Sequence, residues 1–143
     1  MTKVEIAENI FKTRNCAQSV LAAFAEDYGL EKEKALQTAV GFGGGMGRLQ
    51  ETCGAVTGAI MVLGLSSGYK ESDGREKIND VYSKVRSFVS DFSAKKGSVK
   101  CRELLGCDLT TPEGQKYFDE HKLRRECEGY IRLACELLEG YVN

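Results

Sequence analysis

A chain with one proline, Pro112, and no stretch in which apolar and polar residues alternate has little choice but to be helical. From Asp73 to about Lys95, the apolar residues Ile78, Val81, Tyr82, Val85, Phe88, Val89 and Phe92 recur at intervals of three and four, which is one face of a helix. That stripe predicts a long core helix, with Asp73 and Glu76 as its capping pair and Gly97 as its end. Thr2 and Glu5 form a capping box for a first helix over about Lys3 to Lys12. Asn15, with Gln18 three residues on, opens a second that turns Val20, Leu21 and Phe24 inward until Gly29 stops it. A third covers about Glu31 to Val40, and Thr52 is expected to cap a fourth from Cys53 to Leu65. After the long helix, Ser98 caps a short turn holding Cys101, Leu104 and Leu105, and Thr111-Pro112 opens a small helix with Tyr117 and Phe118. A last helix runs from about Lys122 to Gly140 through Ile131, Leu133, Leu137 and Leu138. The expected fold is an all-α, single-domain bundle of about six to seven helices with no linker or repeat.

At 143 residues the chain buries a core without needing disulfides, so its six cysteines are not there for stability alone. A formal net charge of -1 with interspersed signs offers no field to draw nucleic acid or an anionic membrane. The start, Met-Thr-Lys-Val-Glu-Ile, lacks the pattern of a secretory signal, and the longest apolar run, Ala55 to Leu65, is far short of the roughly 20 residues that cross a bilayer. The expected location is the cytoplasm, without membrane insertion. In that reducing compartment, cysteines point to metal binding or redox chemistry, with packing as small hydrophobes the alternative for some of them.

Four of the cysteines, Cys16, Cys53, Cys101 and Cys127, fall at or near the predicted starts of four separate helices. Unpaired N–H groups and the positive end of the helix dipole favour thiolate there, the form that attacks disulfides and binds metals. No Cys-x-x-Cys occurs, so any shared site must be assembled from distant segments. Cys101 and Cys107 can meet as a local pair across a turn. Cys127 and Cys135 lie on one helix, ~80° apart around the axis and ~12 Å apart along it, and cannot bond each other. Cys135 is therefore expected in the core.

The loop Gly41-Phe-Gly-Gly-Gly-Met-Gly47 lacks the Gly-Lys-Ser/Thr ending of a P-loop and follows no strand, so nucleotide binding is disfavoured. Its glycines, Gly43, Gly44 and Gly45 among them, serve either as an N–H nest for an anion or for cluster sulfur, or as a helix terminator with positive φ. Gly54 and Gly58, four apart with Ala55 and Ala59 beside them, leave one helix face nearly bare, open to another helix or a bound group. His121, the only histidine, excludes a two-cysteine, two-histidine metal site and is expected at the surface near a helix end. Glu51, Glu103 and Glu126 stand beside three of the cysteines, as proton acceptors or as ordinary first-turn acids.

Taken in order, Cys16 in Asn-Cys-Ala-Gln-Ser-Val, the Gly43-Gly-Gly-Met-Gly47 loop, Cys53-Gly-Ala-Val-Thr-Gly58, Cys101-Arg-Glu-Leu-Leu-Gly106 and Cys127 resemble the C_GCAxxG_C_C family over nearly the whole chain. The resemblance implies a small helical, cysteine-linked redox protein of bacteria and archaea, often encoded near transporter genes and similar to a region of split-Soret cytochromes. It assigns Cys16, Cys53, Cys101 and Cys127 as the family cysteines and leaves Cys107 and Cys135 outside.

The leading expectation is that these four cysteines converge on one redox-active site. Two chemistries stay open: a dithiol/disulfide couple, with Cys16 or Cys53 attacking, or four thiolates holding a metal or an iron-sulfur cluster, with Gly43, Gly44, Gly45 and Gly54 close to it. The rivals are a closed structural zinc site and an interaction module that docks to a membrane transporter. A redox partner protein and a homodimer are compatible partners.

Overall fold

The computed structural model describes residues 1–142. Eight helices follow in order: α1 Lys3–Phe11, α2 Cys16–Ala25, α3 Lys32–Ala39, α4 Gly54–Ser66, α5 Arg75–Lys96, α6 Cys101–Leu105, α7 Pro112–Glu120 and α8 Arg124–Tyr141. Single 3₁₀ turns extend α2 over Glu26–Tyr28 and α3 over Val40–Phe42. The all-α expectation holds, with eight helices where about six to seven were expected, because the α6 segment is a helix in its own right. Among the described residues the one β-type pairing is an isolated antiparallel bridge between Thr52 and Lys100.

The helix starts that rest on side-chain caps come out as expected. Thr2 and Glu5 close their box on α1, Asn15 and Gln18 close theirs on α2, and Thr111 accepts from Gly114 N–H with Pro112 just behind it. Gly29 and Gly97 end their segments at φ 81 and 88, in the left-handed region where glycine carries no Cβ penalty.

Three starts differ. The N-cap of α4 is Cys53, with no side-chain cap bond, because Thr52 is drawn into the bridge to Lys100. Gly74 precedes α5 in place of Asp73, whose carboxylate instead accepts the Lys70 N–H at 2.7 Å and closes the preceding turn. The N-cap of α6 is Lys100; Ser98 acts one step earlier, accepting the Lys100 N–H at 3.0 Å.

At the centre lies α2, buried from Ala17 through Ala25 and packed against α1, α3, α4 and α8. Its closest partner is α4, which is apolar on every side as a helix enclosed by protein must be. The bare face expected at Gly54 and Gly58 is the seam between them. A Cβ on Gly58 would stand 2.8 Å from the Ala17 carbonyl, and one on Gly54 would stand 2.4 Å from the Cys16 sulfur. By contrast α5 buries only Phe88 and Phe92 fully, while Ile78, Val81, Val85 and Val89 are half-buried and Tyr82 is exposed. The longest stripe of the sequence therefore belongs to a helix leaning on the outside of the core. Among the described residues no helix is long and apolar enough to cross a membrane.

Candidate functional site

Each of the four cysteines reaches the same place by a different local device. Cys16 is the first residue of α2, directly after the Asn15 cap, and Asn15 also donates its side-chain N–H to the Val40 carbonyl at 2.9 Å. That bond ties the start of α2 to the mouth of the glycine loop. Cys53 and Cys101 are held side by side by a short backbone clip: Cys53 N–H donates to Val99 O and Cys101 N–H to Glu51 O, both at 2.7 Å. Cys127 is the fourth residue of α8 and faces the others from across the bundle.

Together the four sulfurs line a cavity of about 490 Å³ between α2, α4, α6, α8 and the glycine loop. Cys135 lies elsewhere on α8, fully buried in the core, as expected from its turn around the helix. All six cysteines are free, Cys107 included, so the local pair with Cys101 is not bonded. His121 caps the end of α7, exposed and stacked on Tyr117, away from this cavity. Of the three neighbouring acids, Glu103 accepts from the Ser98 hydroxyl, and Glu126 contributes a minor repulsion to Cys127.

The glycine loop forms one rim of the cavity, and its backbone is unusual. Gly44, Gly45, Met46, Gly47, Arg48 and Gln50 all have φ between 57 and 69, a left-handed course closed by Gly47 N–H to Gly41 O, Gln50 N–H to Gly44 O and Glu51 N–H to Gly45 O. Glycine is required here for space as well as for φ. A Cβ on Gly43 would stand 2.6 Å from the Asn15 side chain, and one on Gly45 would stand 2.7 Å from the Gln50 backbone and 2.8 Å from the Cys101 side chain. Gly44 N–H points at the Cys16 sulfur, joined there by the N–H groups of Ala17 and Cys16 itself. The segment before the loop ends at Gly43 with φ -66, so the positive-φ glycines shape the loop itself, from which Gly44 gives one N–H to the Cys16 sulfur.

Helix-end position does not lower all four thiol pKa values. Only Cys16 moves down, to about 7, chiefly because the Cys53 thiol donates to its sulfur, aided by the Gly44 and Ala17 N–H groups against the cost of burial. The same hydrogen bond, with burial next, pushes Cys53 well above its ordinary range. Burial raises Cys101 to about 11 and Cys127 to about 12, and the charge on Cys16 adds to both. Desolvation outweighs the helix-end position at Cys101 and Cys127, and at Cys101 even the Gln50 side-chain bond does not offset it.

Gln50 went unnoticed in the sequence. Fully enclosed at φ 58, it donates to Cys107 O and accepts from Leu109 N–H, both at 2.8 Å, and its side chain also bonds Cys101. It fastens the glycine loop to the segment after α6. A lone glutamine beside a glycine run carries no periodic signal, so nothing in the sequence marks it.

The fold is a helical bundle in which half-buried Cys16 and buried Cys53 share one cavity wall with two further thiols. The chain belongs to the C_GCAxxG_C_C family: the family described as "Putative redox-active protein (C_GCAxxG_C_C)" matches residues 14–141. An uncharacterised protein of the archaeon Archaeoglobus fulgidus is 29% identical over 138 residues, covering 91% of this chain and 85% of that relative. No solved structure matches.

Proposed function

We propose that this is a thiol/disulfide redox protein in which Cys16 attacks and Cys53 resolves. The observation that carries the reading is that Cys16 and Cys53 share one cavity wall with a hydrogen bond between their thiols that pulls Cys16 down and pushes Cys53 up. A thiol with a pKa near ambient pH balances thiolate fraction against nucleophilicity, and about 7 is that value. Cys53, kept protonated, holds a proton for the departing sulfur and becomes nucleophilic once it has given it up. Cys101 and Cys127, both raised, stay thiols at neutral pH and leave Cys16 as the one ready thiolate.

The test is oxidation of the fully reduced protein followed by peptide mapping. A single Cys16–Cys53 disulfide, with a reproducible potential in thiol buffers, is expected. Cys53→Ser should arrest the reaction as a mixed disulfide on Cys16, and Cys16→Ser should abolish it. Absence of that disulfide under all oxidants overturns the reading.

A second reading, an iron-sulfur cluster held by all four cysteines, is supported by their sharing one cavity and by the N–H nest at Cys16. Among the described residues no three histidine, cysteine or carboxylate side chains are placed to share one metal ion, so a single zinc, with Zn–S bonds of about 2.3 Å, does not fit the arrangement. A cluster spaces its ligands more widely, and the cavity of about 490 Å³ has room for it. Anaerobic purification with absorption spectra and iron and sulfide analysis separates the two: cluster bands favour the second reading, a colourless protein with a titratable disulfide the first.

A further inference from the structure

The wall of the thiol cavity narrows what can reach Cys16. Among the described residues that line it, the only formally charged side chains are Arg48 and Arg124; no lysine, aspartate or glutamate is present. Much of the rest of the wall is apolar, with Phe11, Val40, Leu104, Leu105, Leu109 and Phe118 among the lining side chains. At about 490 Å³ the cavity lies within the range of small-molecule sites, roughly 300–1,000 Å³.

Both arginines line the cavity. Arg124 donates through Nη2 to the carbonyls of Phe11 and Arg14 and lies 3.9 Å over the Phe11 ring, which leaves Nε and Nη1 with donors for a carboxylate. Arg48 sits on the left-handed loop with its stem against Gly44, the residue whose N–H reaches the Cys16 sulfur: a Cβ on Gly44 would stand 2.8 Å from Arg48 Cγ. Two positive charges over an apolar floor, Arg124 anchored and Arg48 on an exposed side chain, in a chain of net charge -1, are a local reversal of sign.

From this juxtaposition we propose that the substrate is a small carboxylate-bearing disulfide, docked by Arg48 and Arg124 so that its sulfur meets Cys16. The proposal rests on the thiol/disulfide reading above. The Cys16 thiolate attacks one sulfur of the disulfide, forming a mixed disulfide and releasing one carboxylate-bearing thiolate. Cys53 then attacks the Cys16 sulfur, the second thiolate leaves, and the Cys53 proton passes to a released thiolate. One substrate disulfide is reduced to one thiol and one thiolate, the latter taking its proton from water, as Cys16 thiolate and Cys53 thiol are oxidised to one disulfide.

The experiment is single-turnover oxidation of the reduced full chain by three disulfides of similar length: dithiodipropionate, an anion; hydroxyethyl disulfide, neutral; and cystamine, a cation. Each rate is divided by that of mercaptoethanol with the same reagent, which removes the intrinsic charge preference of a free thiolate. The expected normalised rate is about ten-fold higher for dithiodipropionate than for cystamine at low salt and shrinks as salt is added. Arg48→Gln, with each rate read relative to that variant's own hydroxyethyl disulfide rate, should remove most of that ratio by slowing dithiodipropionate and speeding cystamine; Arg124→Lys, which keeps the charge, should retain more of it than Arg124→Gln. Equal normalised rates for the three reagents, or an Arg48→Gln ratio like that of the unaltered protein, overturn the anion assignment while the Cys16–Cys53 disulfide still forms. Insulin disulfides reacting faster than dithiodipropionate overturn the small-molecule assignment. Failure of every reagent to yield the Cys16–Cys53 disulfide removes the thiol reading itself.

Discussion

The seam between α2 and α4 and the outer helix α5 are both apolar helical surfaces, and they behave in opposite ways. At the seam, glycine and alanine bring backbones so close that added methyl groups at Gly54 and Gly58 would meet a sulfur and a carbonyl at 2.4 and 2.8 Å. On α5, large residues spread over an incomplete contact, and Val81, Val85 and Val89 stay half-exposed. Small side chains make the tighter interface because proximity, not side-chain size, fixes the space left over. Cys16 lies at the end of that seam, where displacement of the backbone has few side chains to absorb it.

The comparison can be broken or sharpened by substitution. Phe88→Ala tests one of the two buried anchors of α5: it should cost about 3–5 kcal/mol in denaturant unfolding, since Phe88 is fully buried beside Phe92 and Tyr141. Gly58→Ala adds one methyl group to the seam and should cost about 1–3 kcal/mol by overpacking against Ala17. If Gly58→Ala is neutral, the seam is softer than its geometry says.

Alkylation by iodoacetamide compares reactivity across the cysteines. Cys16, lowered to about 7, should react about ten-fold faster at pH 8 than at pH 6, because its thiolate is lost as pH falls through that value. Cys135, raised to about 12 by burial and by the nearby Glu139, should stay unmodified in the folded protein throughout. The stability contribution of the Cys16 thiolate follows the same sign: present in full above its ordinary value near 9 and gone below about 7, so unfolding studies from pH 6 to pH 9 should show it growing. A Cys16 profile centred near 9 would falsify the nest.

Smaller effects complete the series. Asn15→Ala removes both the α2 cap and the bond to Val40 and should cost about 1 kcal/mol, with a rise in the Cys16 alkylation midpoint. Tyr82→Ser, on the exposed face of α5, should stay within about 0.5 kcal/mol of the parent protein in thermal melts.

Caps and breaks were readable where one side chain decides a local bond: Thr2 with Glu5, Asn15 with Gln18, Thr111 before Pro112, Gly29 and Gly97. Thr52, Asp73 and Ser98 misled because each found a competing partner, and such competition depends on neighbours that local sequence does not disclose. The α5 stripe was legible as a helix, yet its period said nothing of how much protein would cover it.

What the sequence by itself determined is a helical chain with four cysteines in the order and company of the C_GCAxxG_C_C family, and a glycine run able to take left-handed φ. That these residues meet, and that they differ, was decided by the tertiary structure. Spacing along a helix sets which face a cysteine occupies, but its pKa follows from which donors reach it and how much water is lost. Three N–H groups and one thiol converge on Cys16, while burial dominates at Cys101 and Cys127. Electrostatics falls off over a few ångströms, so four similar cysteines diverge, Cys16 lowered and the other three raised, only once packing has fixed those distances.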